Sequence, residues 1–385
     1  MATALATHPT SNSALVASTP QFTVNRTDLV RELGLALGAV ERRTTIPILG
    51  NVKLEASDFG HLAITATDLD IGLSCQCPAT VRVPGVATLP AKRLLDYVRL
   101  LPDGEVNVKF TENQWATITA GRSKTRIAGM SAESFPEIPK PRETACSIPL
   151  KTIQRMIQQT AYAISTEESR FTLNGALFEM GTGTLRMIAT DGHRLTLANG
   201  TGEVRLEGKN LIPRKALVEL LRLAGVVAPD ATAEFSTDEN HIFFTIGDRI
   251  LQSRRPTGNF PDYSRVVPAS FQGTATVNRL QLRDALNRVR GFSDERSRAI
   301  RVVISDGQVA ASASAMETGE SEDSVPAEVT GAVTIGFNAD YLIDFLGATD
   351  AEHVVLSFGG DKAAIQLTPA GADSECLCVV MPLRI

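Results

Sequence analysis

Long apolar runs are missing from this 385-residue chain: nothing in it approaches the roughly 18 consecutive apolar residues of a membrane helix. Charge is missing from its start, because MATALATHPTSNSALVASTP holds no Lys, Arg, Asp or Glu. A secretory signal needs a basic n-region and a sustained apolar stretch, and a transit peptide is rich in Arg. Residues 1–20 are therefore expected to form a disordered tail, with order beginning near Phe22. Cysteine is scarce, at Cys75, Cys77, Cys146, Cys376 and Cys378. An odd count without an export signal points to a reducing cytoplasm. The two C-x-C pairs lie in alternating sequence, where residues two apart share a strand face, and no histidine stands at a local ligand spacing. No metal and no cofactor is expected. A G-x-S-x-G nucleophile elbow and a G-x-x-x-x-G-K phosphate loop are also absent, which argues against a hydrolase and against ATP turnover.

What remains is the composition of a globular protein, 43% hydrophobic and 21% charged, with a net charge of −5. The length suggests two or three domains. A net negative charge argues against a generic nucleic-acid binder, unless the basic residues gather on one face.

Repetition is the informative feature. TATDLDIGLS at 65–74 resembles IATDGHRLTLA at 188–198, with Asp68 and Asp191 123 residues apart. LPAKRLLDYVRLL at 89–101 matches IPRKALVELLRLA at 212–224 at the same offset, and GFNADYLIDFLGA at 336–348 is a weaker third copy. An earlier helix recurs at 24–37, 148–161 and 277–289, with apolar residues three and four apart. Asn25 and Asn278 suit N-caps, with Gln281 placed as in a capping box, and Pro90 and Pro213 suit helix starts. Short alternating segments such as LAITATD, EVNVKFTEN and HIFFTIG read as strands joined by Gly, Asp and Asn turns. The fold class is α+β, with three similar domains of two helices and antiparallel strands each, at 21–140, 141–269 and 270–385.

The repeats also duplicate charge. Lys92 and Arg99, and again Lys215 and Arg222, stand seven apart on one helix face; Lys151 with Arg155, and Arg279 with Arg283 and Arg290, make further stripes. One such stripe is usually a solvated face. Recurrence at equivalent positions points several helices at one polyanion, contacted through its phosphates. The sixth helix breaks the pattern with Asp340 and Asp344, and the sequence offers no reason.

TTIPILGNVKLEA, ATDLDIGL, ATDGHRLTLA, FPDYSRVVP and the terminal VVMPLRI, in this order and spacing, resemble the bacterial sliding clamps, the beta subunits of DNA polymerase III. The resemblance covers about 22–385. It implies a DNA clamp fold, closed as a head-to-tail homodimeric ring around double-stranded DNA of any sequence, cytoplasmic and without membrane contact. It implies a non-catalytic processivity factor that tethers the polymerase III catalytic subunit, the clamp loader and other DNA polymerases and repair proteins through short peptides. It further implies DNA contact by Arg43, Lys92, Arg93, Arg214 and Lys215. The peptide pocket would hold Leu173, Thr190, Gly192, His193, Arg194 and Leu195. Pro261, Arg265 and Val266 would form a second wall, and Val379, Met381, Pro382, Leu383 and Arg384 would close it. In this reading the arginines and His193 meet polar peptide ends at the rim. Dimer contacts would fall near Thr125 and Ile127, opposite Gly291 and Phe292. The chain ends Leu383-Arg384-Ile385 where the family often has Met-Arg-Leu, which keeps the pocket apolar.

Two other readings of TDGHR remain: an acid–base site in which the aspartate orients His193, and a strand-connecting turn in which glycine takes a positive φ. A monomeric scaffold built on the same repeats is the alternative to the ring.

Overall fold

The computed structural model describes residues 19–41, 45–167, 169–315, 319–371 and 375–384. The expected tail therefore lies outside the described residues, apart from positions 19 and 20. Six α-helices occur among them: α1 (Arg26–Ala36), α2 (Ala91–Arg99), α3 (Leu150–Thr160), α4 (Arg214–Ala224), α5 (Arg279–Arg290) and α6 (Ala339–Ala348). They fall where the three- and four-residue apolar spacing puts them. The Asn25 side chain caps α1 by accepting from Thr27 N, and Asn278 caps α5 by accepting from Gln281 N. Asn338 caps α6 in the same way. Pro90 and Pro213 sit one residue earlier than expected. Each ends a strand, Gly85–Pro90 and Gly208–Pro213, with extended ψ of 111° and 145°, because a φ near −60° serves a strand end as well as a helix start.

The chain divides into two compact units. The first holds residues up to 140 together with Asp248–Gln252. Its strands pair antiparallel in the order Gly85–Pro90, Asn51–Ser57, His61–Thr67, Ile71–Val83, Gln21–Asn25, Glu105–Phe110, Trp115–Ala120, Ser123–Ala128. Helix α2 buries Ala91, Leu94, Leu95 and Val98 and leaves Lys92, Arg93 and Arg99 in solvent. Covering such aliphatic side chains stabilises by about 1.5–3 kcal/mol each. One charge goes inward: Glu32 of α1 has no exposed surface. Arg249 meets it with two hydrogen bonds, of 2.6 and 2.9 Å, and Arg31 adds one of 2.7 Å.

The second unit holds the rest. The strands Gly208–Pro213, Gly175–Gly181, Thr184–Thr190 and Arg194–Thr201 repeat the first four of the first unit. Arg194–Thr201 then pairs with Cys376–Val380, so the chain's last strand joins the second repeat to the third. Beyond it lie Ile365–Pro369, His353–Phe358, Gly273–Asn278, Gly319–Thr330, Gln308–Ala315, Ala299–Ser305 and Val333–Asn338, again all antiparallel.

Each C-x-C pair shares a buried strand face, with Gln76 exposed between Cys75 and Cys77. Burial pushes the Cys77 and Cys378 thiols up to about 12 and those of Cys146 and Cys376 up to about 11. They stay protonated and inert at neutral pH. No helix among the described residues is long and apolar enough to cross a membrane.

Candidate functional site

The TDGHR segment is a turn. Asp191 Oδ1 accepts from the backbone N–H of His193 (2.9 Å) and of Arg194 (3.0 Å). Thr190 Oγ1 accepts from Gly192 N and donates to Arg194 O. Asp68 and Thr67 make the same bonds to Asp70, Ile71 and Leu69 in the first repeat, and Asp238 binds Asn240 N and His241 N likewise. The acid–base reading fails on geometry: both Asp191 oxygens go to backbone N–H groups and to Arg194, and the His193 ring meets Tyr341 instead.

Gly192 takes φ 91°, where its counterpart Leu69 sits at 80°. The turn therefore tolerates a side chain at a conformational cost of roughly 1–2 kcal/mol. A Cβ at Gly192 would also stand 2.9 Å from Arg170 Nη1, the atom that donates to Asp191 O. Gly192→Ala is thus expected to lower stability by about 1–2 kcal/mol and to release Arg170. Thermal unfolding should show the loss, and a peptide titration should show weaker docking. Unchanged values in both would mean that Arg170 does not hold the turn.

Arg194 is not at a rim. It is 8% exposed, and its guanidinium donates to Asp191 Oδ2 (3.1 Å), Asp344 Oδ2 (2.7 Å) and Tyr162 O (2.7 Å). It also lies 4.5 Å from the Tyr341 ring and 5.2 Å from that of Tyr162. Burial pulls its pKa down, but the bond to Asp344 and the charges of Asp191 and Asp344 outweigh this and raise it. Arg194 therefore holds the site together, and Thr190 is spent within the turn. His193, Arg265 and Arg384 are the exposed polar groups.

The apolar residues divide into floor and lip. Leu195 and Val379 are direct cross-strand partners and have almost no exposure. With Leu177, Ile188 and Leu197 they form one cluster, covered by Phe260, Tyr263 and Val267. They are the floor rather than open walls, because the segment around FPDY lies over them. Tyr263 is fixed there by its hydroxyl, which donates to Glu179 at 2.9 Å. Val266 and Met381 are exposed, as is Pro261, while Leu173 is half-buried at the end of a short helical turn. The C-terminal residues are threaded across this surface: Met381 N donates to His193 O (2.9 Å) and Leu383 N to Gly336 O (2.8 Å). Pro382 lies half-buried between them.

Lys92 and Arg93 are exposed on α2, and Arg214 and Lys215 on the first turn of α4. Arg43 lies outside the described residues. Within the basic stripes, Arg279 donates to Leu346 O near the end of α6 and to Ala351 O beyond it, and Arg155 to Asn199 O. Of the residues expected at a dimer contact, Thr125 is partly exposed, but Ile127 points into the first unit's core at 4% exposure. Alternation puts Lys124 and Arg126 on the open face of that strand. Gly291 and Phe292 are exposed just past α5, and Phe292 lies beside Gly319.

Four contributors were not evident in the sequence as site residues: Arg170, Tyr162, Tyr341 and Asp344. Asp344 alone left a signal, as an acid breaking a basic helix pattern, and its pairing with Arg194 supplies the reason. Asp340 likewise pairs with Arg290.

Three family models match consecutive stretches of the chain. They describe the N-terminal (residues 20–139), central (147–262) and C-terminal (264–384) domains of the DNA polymerase III beta subunit. A beta sliding clamp of Pseudomonas putida is 34% identical over 94% of this chain and all of its own length. One of Caulobacter vibrioides is 34% identical over 95% of this chain and all of its own. The crystal structure of a sliding clamp from Pseudomonas aeruginosa, bound to griselimycin, superposes with a TM-score of 0.90 at 33% identity, covering 96% of this chain and all of that one.

Proposed function

The chain belongs to the DNA polymerase III beta subunit family, the bacterial sliding clamps, and from that premise we propose that two copies close head to tail into a ring around duplex DNA and hold the replicative polymerase to it. It is a DNA sliding clamp serving polymerase processivity. In this reading it carries no catalysis of its own and works in the cytoplasm. The domain boundaries at 140/141 and 269/270 belong to the same proposal.

The observation that carries the DNA-facing assignment is the recurrence of exposed cations at the start of α2 and of α4, Lys92 and Arg93 in one, Arg214 and Lys215 in the other. Equivalent positions on repeated helices suit a backbone polyanion with no sequence readout. Replacing the four by Ala is expected to weaken DNA contact on every sequence and to flatten the log–log salt dependence by about one unit per lost phosphate contact. A loss confined to particular sequences would contradict backbone contact.

Ring closure is supported by two strand edges. Ser123–Ala128 has no strand on its outer side among the described residues and presents Lys124 and Arg126. Gly319–Thr330 meets Gly273–Asn278 only from Ala327 onward, so its first part, 319–326, has Gln308–Ala315 on one side and no strand among the described residues on the other; there it presents Glu320 and Glu322, with Phe292 beside its start. Open edges are liabilities that pairing removes, and opposite charge fixes which edge meets which.

Partner peptides of the polymerase, the loader and repair proteins would place their apolar anchor on the lip formed by Val266 and Met381, above the Leu195–Val379 floor. His193 and Arg265 stand at hand for polar ends.

A further inference from the structure

The wall of the dock that carries Pro261, Arg265 and Val266 is tied to the protein at one atom. Residues 256–271 form no regular structure beyond the short helical turn Tyr263–Arg265. Within that turn Asp262 accepts from Ser264 N and meets Arg265 at 3.2 Å, and Val266 N donates to Tyr263 O. These bonds make the wall one piece, but they do not attach it. Among the described residues, the only hydrogen bonds from 256–271 to the rest of the chain are two at the Tyr263 hydroxyl. It donates to Glu179 Oε2 (2.9 Å) and accepts from Arg186 Nη1 (3.2 Å).

The acceptor is built into the sheet. Glu179 stands directly opposite Lys209 on one neighbouring strand and Arg186 on the other, so the three side chains form one row across the same face. Glu179 is the covered member, with its side chain 15% exposed against 48% for Arg186 and 70% for Lys209. Lys209 Nζ lies 2.7 Å from Glu179 Oε1, which leaves Oε2 for the tyrosine. A hydrogen bond to a carboxylate is among the stronger kinds and has a direction. The apolar contact of Phe260, Tyr263 and Val267 with the floor attracts as well, but burial alone sets no direction. The hydroxyl therefore decides where on the floor the wall comes to rest.

We propose that Glu179 is a positioning residue of the peptide dock: through the Tyr263 hydroxyl it fixes the wall that carries Val266 over the Leu195–Val379 floor. It thereby sets peptide affinity without touching the peptide. A wall left free would have to be ordered by each peptide that binds, and that ordering is subtracted from the affinity. The proposal rests on the dock reading for the peptide, whereas the anchor is measurable without one.

The test uses the full-length protein, a labelled polymerase-derived peptide and amide hydrogen exchange. Glu179→Ala and Tyr263→Phe should each weaken the peptide by about tenfold. The double variant should be no weaker than the worse single one, because both changes remove the same bond. Glu179→Gln, whose amide oxygen still accepts from the hydroxyl, should keep the affinity within about threefold of wild type. Without peptide, exchange at the Val266 amide should quicken by about tenfold in Glu179→Ala and in Tyr263→Phe, while Leu197 in the sheet beneath exchanges as before. Wild-type affinity in Tyr263→Phe, additive losses in the double variant, or equal quickening at Val266 and Leu197 would overturn the proposal; the last would mean a general loosening of the domain. Should Glu179→Ala not fold, Tyr263→Phe removes a single oxygen and carries both readouts. A wild type that binds no peptide, with Val266 still released in Tyr263→Phe, would sink the dock and leave the anchor standing.

Discussion

Removing residues 381–385 abolishes peptide docking while leaving the dimer intact; that is the expected result, and the geometry sets its size. Met381 supplies half of the exposed apolar lip, and Leu383 anchors the thread to Gly336. The floor beneath stays, because Val379 belongs to Cys376–Val380, which remains paired on both sides. A peptide anchor that loses two apolar neighbours forfeits about 1.5–3 kcal/mol for each burial undone, so affinity falls by about a hundredfold or more. Titrating a labelled polymerase-derived peptide against the truncated protein gives the answer, with native mass as the control for assembly. His193→Ala should weaken the same peptide by less, since its ring lies 6.3 Å from that of Tyr341 and leans on it only lightly. An unchanged affinity after truncation would place the dock elsewhere.

The second expected result concerns topology. Protein loaded onto a nicked circular plasmid should remain through gel filtration, and should be lost once the plasmid is cut to leave free ends. The exposed cations at the helix starts are few, and one of them, Lys92, already meets Asp96 at 2.6 Å. Contacts of this kind are screened by salt and exchange quickly. They let a protein slide, but they do not hold it. Retention must then come from linkage, which a double-strand break destroys whatever the affinity. Equal retention on circular and linear DNA would mean ordinary binding and would remove the ring.

Much of this was legible before any coordinates. Helix positions followed from apolar spacing, because burial of Leu94, Leu95 and Val98, or of Leu217 and Leu220, is what makes those helices form. Asp191 could be read as a turn residue because Asp68 repeats it. What could not be read is equally physical. Alternation shows which face of a strand is apolar but not what covers it, so Leu195 and Val379 read as open walls when Phe260 and Tyr263 sit over them. Arg194 read as a rim cation because its partners, Tyr162 and Asp344, lie 32 and 150 residues away. That the Ile127 side chain turns into the core and that of Arg126 outward could not be read either, because one strand looks alike from both faces.

The pairing of Glu32 with Arg249 has a consequence for how the protein is made. These residues stand 217 positions apart, yet both belong to the first unit. At about 5–20 residues per second, a ribosome needs roughly 10–40 s to travel from one to the other. Through that interval the emerging first unit holds a carboxylate that its core will enclose, with Arg31 but not Arg249 to answer it. Breaking such a pair by removing one partner costs on the order of 3–5 kcal/mol, a large part of what a domain has to spare. The first unit to be synthesised therefore waits on a segment made in the second half of translation, and the finished fold is reached only when most of the chain has left the ribosome.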